Sequence, residues 1–291
     1  MDITTNASKF EYGDILLVLV LYNTKLLEST SFISLTSALV HSNLNKMDLF
    51  IYDNSPLAQE IILKDSDIWT VNYTHDRLNP GVSKAYNEGA KFALTLKKKW
   101  ILILDQDTRF PLTLFNEFSN AICLYPNSKL FAPILKSRDI IVSPTIYRFN
   151  RGFSPKSIVP GIHDLRKFSP INSGMFINLN LFFNADGYDE NIKLDFSDFV
   201  FIRRLCKIIS EFVVLNVTCS HDLSSSDLQP LASAEFRYKS YCEGAKLSAR
   251  NLKERIILLV VCLIRGARLG LRYKSFTFLT LFGKCYLRDL V

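Results

Sequence analysis

The sequence predicts an α/β fold, a mostly parallel sheet covered by helices on both faces, followed by a helical, basic C-terminal segment. Three observations predict it. Short apolar or β-rich runs alternate with helix-period stretches through the first half of the chain, which is the punctuation of βαβ units and so of parallel strands. With 291 residues, 48% of them hydrophobic, the chain can bury the core such a sheet needs. The net charge of +7 is unevenly spread: residues 236–291 hold twelve Lys or Arg against three Asp or Glu, which leaves residues 1–235 at −2.

In chain order, "ILLVLVL" (15–21), "LFIYD" (49–53), "IWTVNY" (68–73) and "WILILD" (100–105) read as strands. Helical patterns lie between them at 25–41, in a shorter stretch near 57–63, and at 82–96. Pro111 stands where the first turn of another helix would begin, with Leu112, Phe115, Phe118 and Ile122 as its apolar face. The text from 130 to 180 is irregular apart from "MFINL" (175–179). A helix at 198–209 and the strand "FVVLNV" (212–217) follow. Asn251 and Glu254 have capping-box spacing and start a helix through "RIILLVVCLIRGARLGLRYK". The expected division is 1–230 for the α/β domain and 231–291 for the appendage.

Composition excludes several classes. The basic surplus belongs to the tail, so nucleic-acid binding is not expected. Residues 15–21 are too short for a signal h-region and no basic n-region precedes them, so secretion is not expected. Six scattered cysteines without a C-x-x-C fit reduced thiols in the cytoplasm. The apolar run 256–264 falls short of the roughly 20 residues that span a bilayer. Arg265, Arg268 and Arg272 share one helical face, which suits either a peripheral helix on an anionic membrane or a core helix with a solvated basic side.

Ligands of open α/β sheets bind at the carboxyl ends of the strands. Those ends carry Tyr22-Asn23, Asp53-Asn54-Ser55, the "THDRLNPG" loop and Asp105-Gln106-Asp107. Such an oxygen-rich rim suits magnesium or manganese completed by a phosphate ligand. Asp-x-Asp alone says little, since Asp65-Ser66-Asp67 has the same spacing. The placement of Asp105 and Asp107 directly after an apolar strand is what points to a cation, because two adjacent carboxylates repel each other at a core edge. Asp53 also fits a simple turn. In "NPGVSKAYNEG" (79–89) the glycines bring backbone close to a neighbour, and Asn87 is either a ligand group or a buried, satisfied amide. Asp195 and Asp198 can cap a helix or supply a general base. Asn172-Ser173-Gly174 and His221 are further polar residues on apolar borders. No G-x-G-x-x-G, Walker loop, G-x-S-x-G or H-E-x-x-H occurs, which removes the dehydrogenases, P-loop NTPases and hydrolases built on them.

Together "NPGVSKAYNEGAKFAL" and "WILILDQDTRFP" resemble glycosyltransferase family 2, the inverting enzymes of GT-A, Rossmann-like fold, and within it the bacterial rhamnosyltransferases. The resemblance covers about residues 15–221. It implies that Tyr22, Asn23 and Asp53 hold base and ribose, and that Asn79, Gly81 and Asn87 line the nucleotide-sugar pocket. It further implies that Asp105, Gln106 and Asp107 meet ribose and a metal-diphosphate, with His221 near the metal. Asn172, Ser173 and Gly174 would face donor and acceptor. The family pattern Ile-Asp-Tyr-Val-Asp-x-Glu-Trp-x-x-Arg is similar to "LDFSDFVFIRR" (194–204), which puts the base at Asp198 with Asp195 beside the substrate. Val200 stands where that pattern has Glu, and Ser197 where many relatives have Glu. The implied activity is metal-dependent transfer of a sugar, L-rhamnose from dTDP-rhamnose, to a lipid-linked saccharide at the cytoplasmic face of the membrane during surface-polysaccharide synthesis. The alternative is a nucleotide-sugar-binding or membrane-associated interaction protein that kept the fold and lost turnover.

Overall fold

All four apolar runs of the first half become neighbouring parallel strands. A computed structural model describes residues 11–44, 46–63, 68–221 and 230–287; Asp65-Ser66-Asp67 lies outside them. Strand β1 (Ile15–Leu21) is buried along its whole length and pairs in parallel with β2 (Met47–Asp53) on one side and β4 (Trp100–Leu104) on the other, while β3 (Trp69–His75) extends the sheet beyond β2. Helices α1 (Thr30–His41) and α2 (Val82–Thr95) supply the crossovers. Chain order 3-2-1-4 across these strands makes the β1/β4 boundary the place where the winding reverses, and the crevice outside the strand ends opens there.

The irregular middle of the sequence contributes antiparallel structure. After β5 (Thr108–Arg109) and α3 (Leu114–Leu124) come β6 (Leu130–Ser137), β7 (Ile140–Ser143), β8 (Thr145–Arg148), β9 (Arg151–Phe153), β10 (Gly161–Asp164), β11 (Phe168–Ser169) and β12 (Met175–Asn178). Helices α4 (Leu179–Asn184) and α5 (Ser197–Leu205) lead to β13 (Glu211–His221). The large sheet runs β10-β13-β6-β12-β4-β1-β2-β3, with β5 on β13 and β7 on β6, and β8, β9 and β11 form a small second sheet. Strand β12 is antiparallel to both β4 and β6, so β6 and β13 again point the same way as β1 to β4. Apolar clusters fill both faces of the sheet.

Several boundaries differ from expectation for identifiable reasons. Helix α1 starts at Thr30, not residue 25, because the Ser29 hydroxyl accepts from Phe32 N–H and caps it there; residues 26–28 form a separate 3-10 turn. No helix forms at 57–63, where Gln59 spends its side chain on Asp53, Leu26 and Thr24 and holds the segment irregular. Helix α3 begins three residues after Pro111. Strand β13 runs on to His221 because it pairs with both β6 and β5.

Residues 230–287 are mainly helical: α6 (Leu231–Ser248), α7 (Leu252–Tyr273) and α8 (Thr277–Phe282). Asn251 caps α7 by accepting from Glu254 N–H, as its spacing predicts, and Glu254 reaches back to Arg250 N–H. These helices share one apolar cluster with Ile192, Phe196 and Val200, the segment that carries Asp195 and Asp198. Gly244 permits the close approach, since a β-carbon there would collide with the Asp195 carbonyl oxygen. Among the described residues no helix is long and apolar enough to cross a membrane.

Candidate active site

The Asp105-Gln106-Asp107 turn leaves β4 at the reversal point and is braced from three directions. Helix α1 holds its backbone: Ser29 Oγ donates to the Gln106 carbonyl at 2.9 Å, Ser31 N–H to the same oxygen at 3.2 Å, and Ser31 Oγ to the Asp105 and Thr108 carbonyls. The Gln106 amide clamps the Tyr22 backbone, accepting from its N–H at 2.7 Å and donating to its carbonyl at 3.2 Å, and so ties the end of β1 to the end of β4. From α2 the fully buried Tyr86 hydroxyl donates to Asp105 Oδ1. Burial first, then the charge on Asp105, raise the Tyr86 phenol well above its usual range, so it stays a donor. The serine cluster "STSFIS" opening α1 is the sequence signal for the first of these braces.

Asp107 is the unsatisfied member of the turn. Its Oδ1 is buried without a hydrogen-bond partner, and His221 Nδ1 lies 3.6 Å away. Burial and the neighbouring Asp105 charge push its carboxyl up to about 6, against the pull of His221 and Arg237. His221 Nδ1 is also 2.7 Å from the Thr108 hydroxyl, which in turn contacts Ser173 Oγ at 2.7 Å. Ser173 reaches back toward Asp105 N–H, and Gly174 N–H donates to the Ile103 carbonyl, so residues 172–174 are laid along the turn. Among the described residues no group of three or more His, Cys, Asp or Glu is gathered closely enough to hold a metal ion alone. The donor set, with its orphaned carboxylate oxygen, fits a magnesium or manganese ion that keeps water and takes substrate phosphates, and does not fit a site closed by protein.

Several residues that the resemblance assigned to ligand are engaged by the protein. Asp53 has no accessible surface. Its two oxygens accept from Ser55 N–H, Gln59 Nε2 and Tyr73 hydroxyl at 2.8–2.9 Å, and although burial opposes ionisation these bonds leave the carboxyl below its ordinary value. Through these bonds it shapes the 53–59 loop. Asn87 likewise spends its amide on Tyr188 N–H, the Tyr188 carbonyl and Glu190. It anchors the 187–190 loop. Gly81 holds φ +101° and lies so close to Lys193 that a β-carbon would collide with that residue's backbone. Val82 N–H then donates to the Lys193 carbonyl and Ser83 to that of Ile192. Asn79, at φ +46°, makes the turn before this dock. Thus "NPGVSKAYNEG" positions the loop leading to Asp195. Tyr22 is 42% exposed beside Asn23, whose N–H donates to Ser55 Oγ, and these two face the open end of β1.

Asp195 and Asp198 lie against a cavity of about 370 Å³ that Asn172, Arg237 and Arg265 also line. Neither caps α5: the N-cap is Phe196, in left-handed conformation at φ +73°, without a side-chain bond. Asp198 Oδ1 accepts from Phe199 N–H at 2.7 Å. Desolvation, helped by the charges of Asp195 and Asp105, outweighs that bond and pushes Asp198 up to about 7. Asp195 is raised as well, by burial, against Arg237 and Arg265, and its Oδ2 has no hydrogen-bond partner. Tyr188, stacked 4.2 Å from Phe201, donates to Asn172 Oδ1 at 2.8 Å and so links the α4–α5 loop to the 172–174 segment. Neither tyrosine was legible in the sequence, because each acts across more than 15 residues or between elements.

The tail places Arg265 inward. Its guanidinium stacks 3.9 Å over Tyr241 at the cavity wall, whereas Arg268 and Arg272 are exposed. The expectation of one basic face for all three is corrected accordingly.

No protein-family profile and no curated protein matches the sequence. Solved structures do match. S. aureus TarS residues 1–349 in complex with UDP-GlcNAc superposes with TM-score 0.51 at 14% identity, covering 84% of this chain and 70% of that one. A longer S. aureus TarS structure gives TM-score 0.50 at 13% identity, over 84% and 47%. The fold is the GT-A fold of glycosyltransferases.

Proposed function

We propose that this chain is an inverting glycosyltransferase that takes its sugar from a nucleotide donor. The observation that carries the reading is Asp198: a desolvated carboxyl with a pKa of about 7, on a cavity beside the polar strand ends of a GT-A sheet. A base poised near neutrality suits removal of a proton from a sugar hydroxyl. Asp198 takes that proton as the hydroxyl oxygen bonds to the anomeric carbon. The bond from that carbon to the diphosphate oxygen breaks, and the nucleoside diphosphate leaves from the opposite face, inverting the centre. Asp107, with Asp105 and His221 beside it and with water and substrate phosphates completing the shell, would hold a magnesium or manganese ion, which would supply neutralisation of the charge on the departing diphosphate. Tyr86 fixes Asp105, Tyr188 fixes Asn172, and Tyr22 with Asn23 receive the nucleoside.

The donor proposed is dTDP-L-rhamnose, on the resemblance of "LDFSDFVFIRR" to the rhamnosyltransferase pattern; the UDP-GlcNAc in the TarS complex makes UDP-sugars the principal competitor. The acceptor proposed is a lipid-linked saccharide met at the cytoplasmic membrane surface. Support comes from α7, where Leu252, Ile256, Val260, Leu263 and Leu271 are exposed at spacings of three, four and eight. Exposed Arg255, Arg268, Arg272 and Lys274 lie on or at the end of the same helix, and an exposed apolar stripe on a basic helix suits an anionic bilayer.

The test is a panel of dTDP-, UDP- and GDP-sugars with magnesium or manganese, read by thermal shift and donor turnover. Stabilisation and turnover with dTDP-rhamnose is the expected result, and indifference to every nucleotide overturns the proposal. Replacement of the pattern's Glu by Val200 does not favour a lost activity, because Val200 is buried in the C-terminal apolar cluster and is not part of the cavity wall.

A further inference from the structure

Helix α5, which carries Asp198 in its first turn, has only nine residues, and its N-cap Phe196 makes no side-chain bond. A helix this short is not stable by itself and stands where its contacts hold it. Phe196 and Val200 join the apolar cluster of the tail, but apolar contact is non-directional. The directional contacts are at the other end, where Arg203 and Arg204 close the last turn. Arg204 Nη1 donates to the Asp186 and Gly187 carbonyls at 3.0 and 2.9 Å, which ties α5 to the loop before it. Arg203 Nη2 donates to the Ser248 carbonyl at 2.8 Å. Ser248 is the last residue of α6, where backbone carbonyls lack partners in their own helix, so an arginine of the base-bearing helix caps a helix of the tail.

The charge of Arg203 is balanced by Glu254 in the first turn of α7, a carboxylate only 7% exposed. Glu254 accepts from Arg250 N–H at 2.9 Å and from Arg250 Nε at 3.0 Å, and its Oε2 lies 3.9 Å from Arg203 Nη1. The Arg250 bonds, against the cost of burial and with help from the Arg203 charge, hold its carboxyl below the ordinary value. Both side chains of the Arg203–Glu254 pair are largely withdrawn from water, so salt screens the pair less than a surface pair. The charges that act on Asp198 are those of Asp195 and Asp105, and Arg151, Arg237 and Arg265 share its cavity wall. Arg203 and Glu254 are not on that wall, so their influence on the base passes through the position of α5.

We infer that Arg203 and Glu254 are positioning residues: the clasp between α5 and the α6–α7 corner sets where Asp198 stands in the cavity. The inference rests on the glycosyl-transfer reading and makes its base dependent on the tail.

Variants of the full-length protein test this. Glu254→Gln keeps the shape of the side chain and removes its charge, and Arg203→Lys keeps the charge and removes the fork. Glu254→Gln and Arg203→Gln should each lower donor turnover about 10-fold or more with the donor KM unchanged, the scale of a slight misplacement of a reacting group, and Arg203→Lys should recover part of the loss. The double variant should lose little more than either single one, because the two residues act as a unit. The acid limb of the turnover profile, near pH 7 in wild type, should move to lower pH in both Gln variants, since an α5 out of its seat lets water reach the carboxyl. A second readout needs no substrate: the Tm gap at pH 8 between a protein and its Asp198→Asn counterpart reports how strongly the carboxyl is desolvated, and it should shrink in the Glu254→Gln background. Asp48→Asn, which breaks the ion pair with Lys98 at the start of β2, controls for lost stability alone and should leave profile and gap unchanged. The inference is overturned if profile and gap stay as in wild type in both Gln variants, or if Asp48→Asn moves them as far. Absence of turnover by wild type with every nucleotide sugar would sink the glycosyl-transfer reading instead, and the Tm gap would still decide the clasp.

Discussion

Replacing Asp198 by Asn should stabilise the protein at neutral pH while removing the proposed activity. The folded protein holds the Asp198 proton up to about pH 7, against an ordinary value of 3.8. At about 1.4 kcal/mol per pKa unit this difference corresponds to about 4 kcal/mol. The sign follows from proton binding: the folded state binds the proton more tightly than the unfolded chain, so stability falls as pH rises from 3.8 to 7 and the full cost of the buried charge is present above that window. The asparagine never ionises. The gap between variant and wild type should therefore grow from near zero at pH 4 to an upper figure of about 4 kcal/mol at pH 8, since the residue keeps an accessible edge on the cavity that water screens. At roughly 2 °C per kcal/mol for a chain this long, the Tm gap at pH 8 is about 8 °C at most. Asp195 titrates in both proteins and largely cancels. Calorimetry across this pH range reads the effect directly, without knowledge of any substrate. A variant whose Tm runs parallel to wild type throughout, or falls below it at pH 8, refutes the desolvated-base reasoning.

In wild type, donor turnover should rise with pH through about 7 as Asp198 ionises, and Asp198→Asn should lower it by roughly 100-fold or more, both read by release of nucleoside diphosphate. Asp107→Asn should abolish the metal-dependent part of nucleotide binding and leave the fold intact, and chelation of wild type with EDTA should reproduce that loss, as titration calorimetry would show. Gly244→Ala should destabilise by about 1–3 kcal/mol, because α6 must move off the Asp195 carbonyl; a denaturant titration measures it, and no change would mean that the helix shifts freely. Ile256→Glu with Leu263→Glu should reduce co-sedimentation with phosphatidylglycerol-rich vesicles without lowering Tm, since both side chains are exposed.

The parallel half of the sheet was legible because each strand is a short apolar or β-rich run, and "WILILD" showed both where β4 ends and what it carries. Asp105 and Asp107 were legible for the same reason: carboxylates directly after a buried strand stand at its carboxyl end. The small β8-β9-β11 sheet was not, since its strands have two to four residues and no periodicity survives at that length. The supposed helix at 57–63 failed because hydrogen bonds from Gln59 to a buried Asp53 outweigh local propensity, and such bonds cannot be read from spacing. Helical phase put Arg265, Arg268 and Arg272 together, yet the ring of Tyr241, 24 residues upstream, draws Arg265 to the cavity. Asn87 and Asp53 were recognised as unusual, and the sequence could not say whether their bonding groups point to ligand or to chain.

The apolar cluster that joins α6, α7 and α8 to Ile192, Phe196 and Val200 makes the tail a wall of the cavity beside Asp198. A chimaera carrying another protein's C-terminal helices would rebuild that wall, because α6 contributes Arg237 and Tyr241 to it and α7 contributes Arg265. The cavity lining and the exposed apolar stripe of α7 are thus separated by the thickness of a single helix.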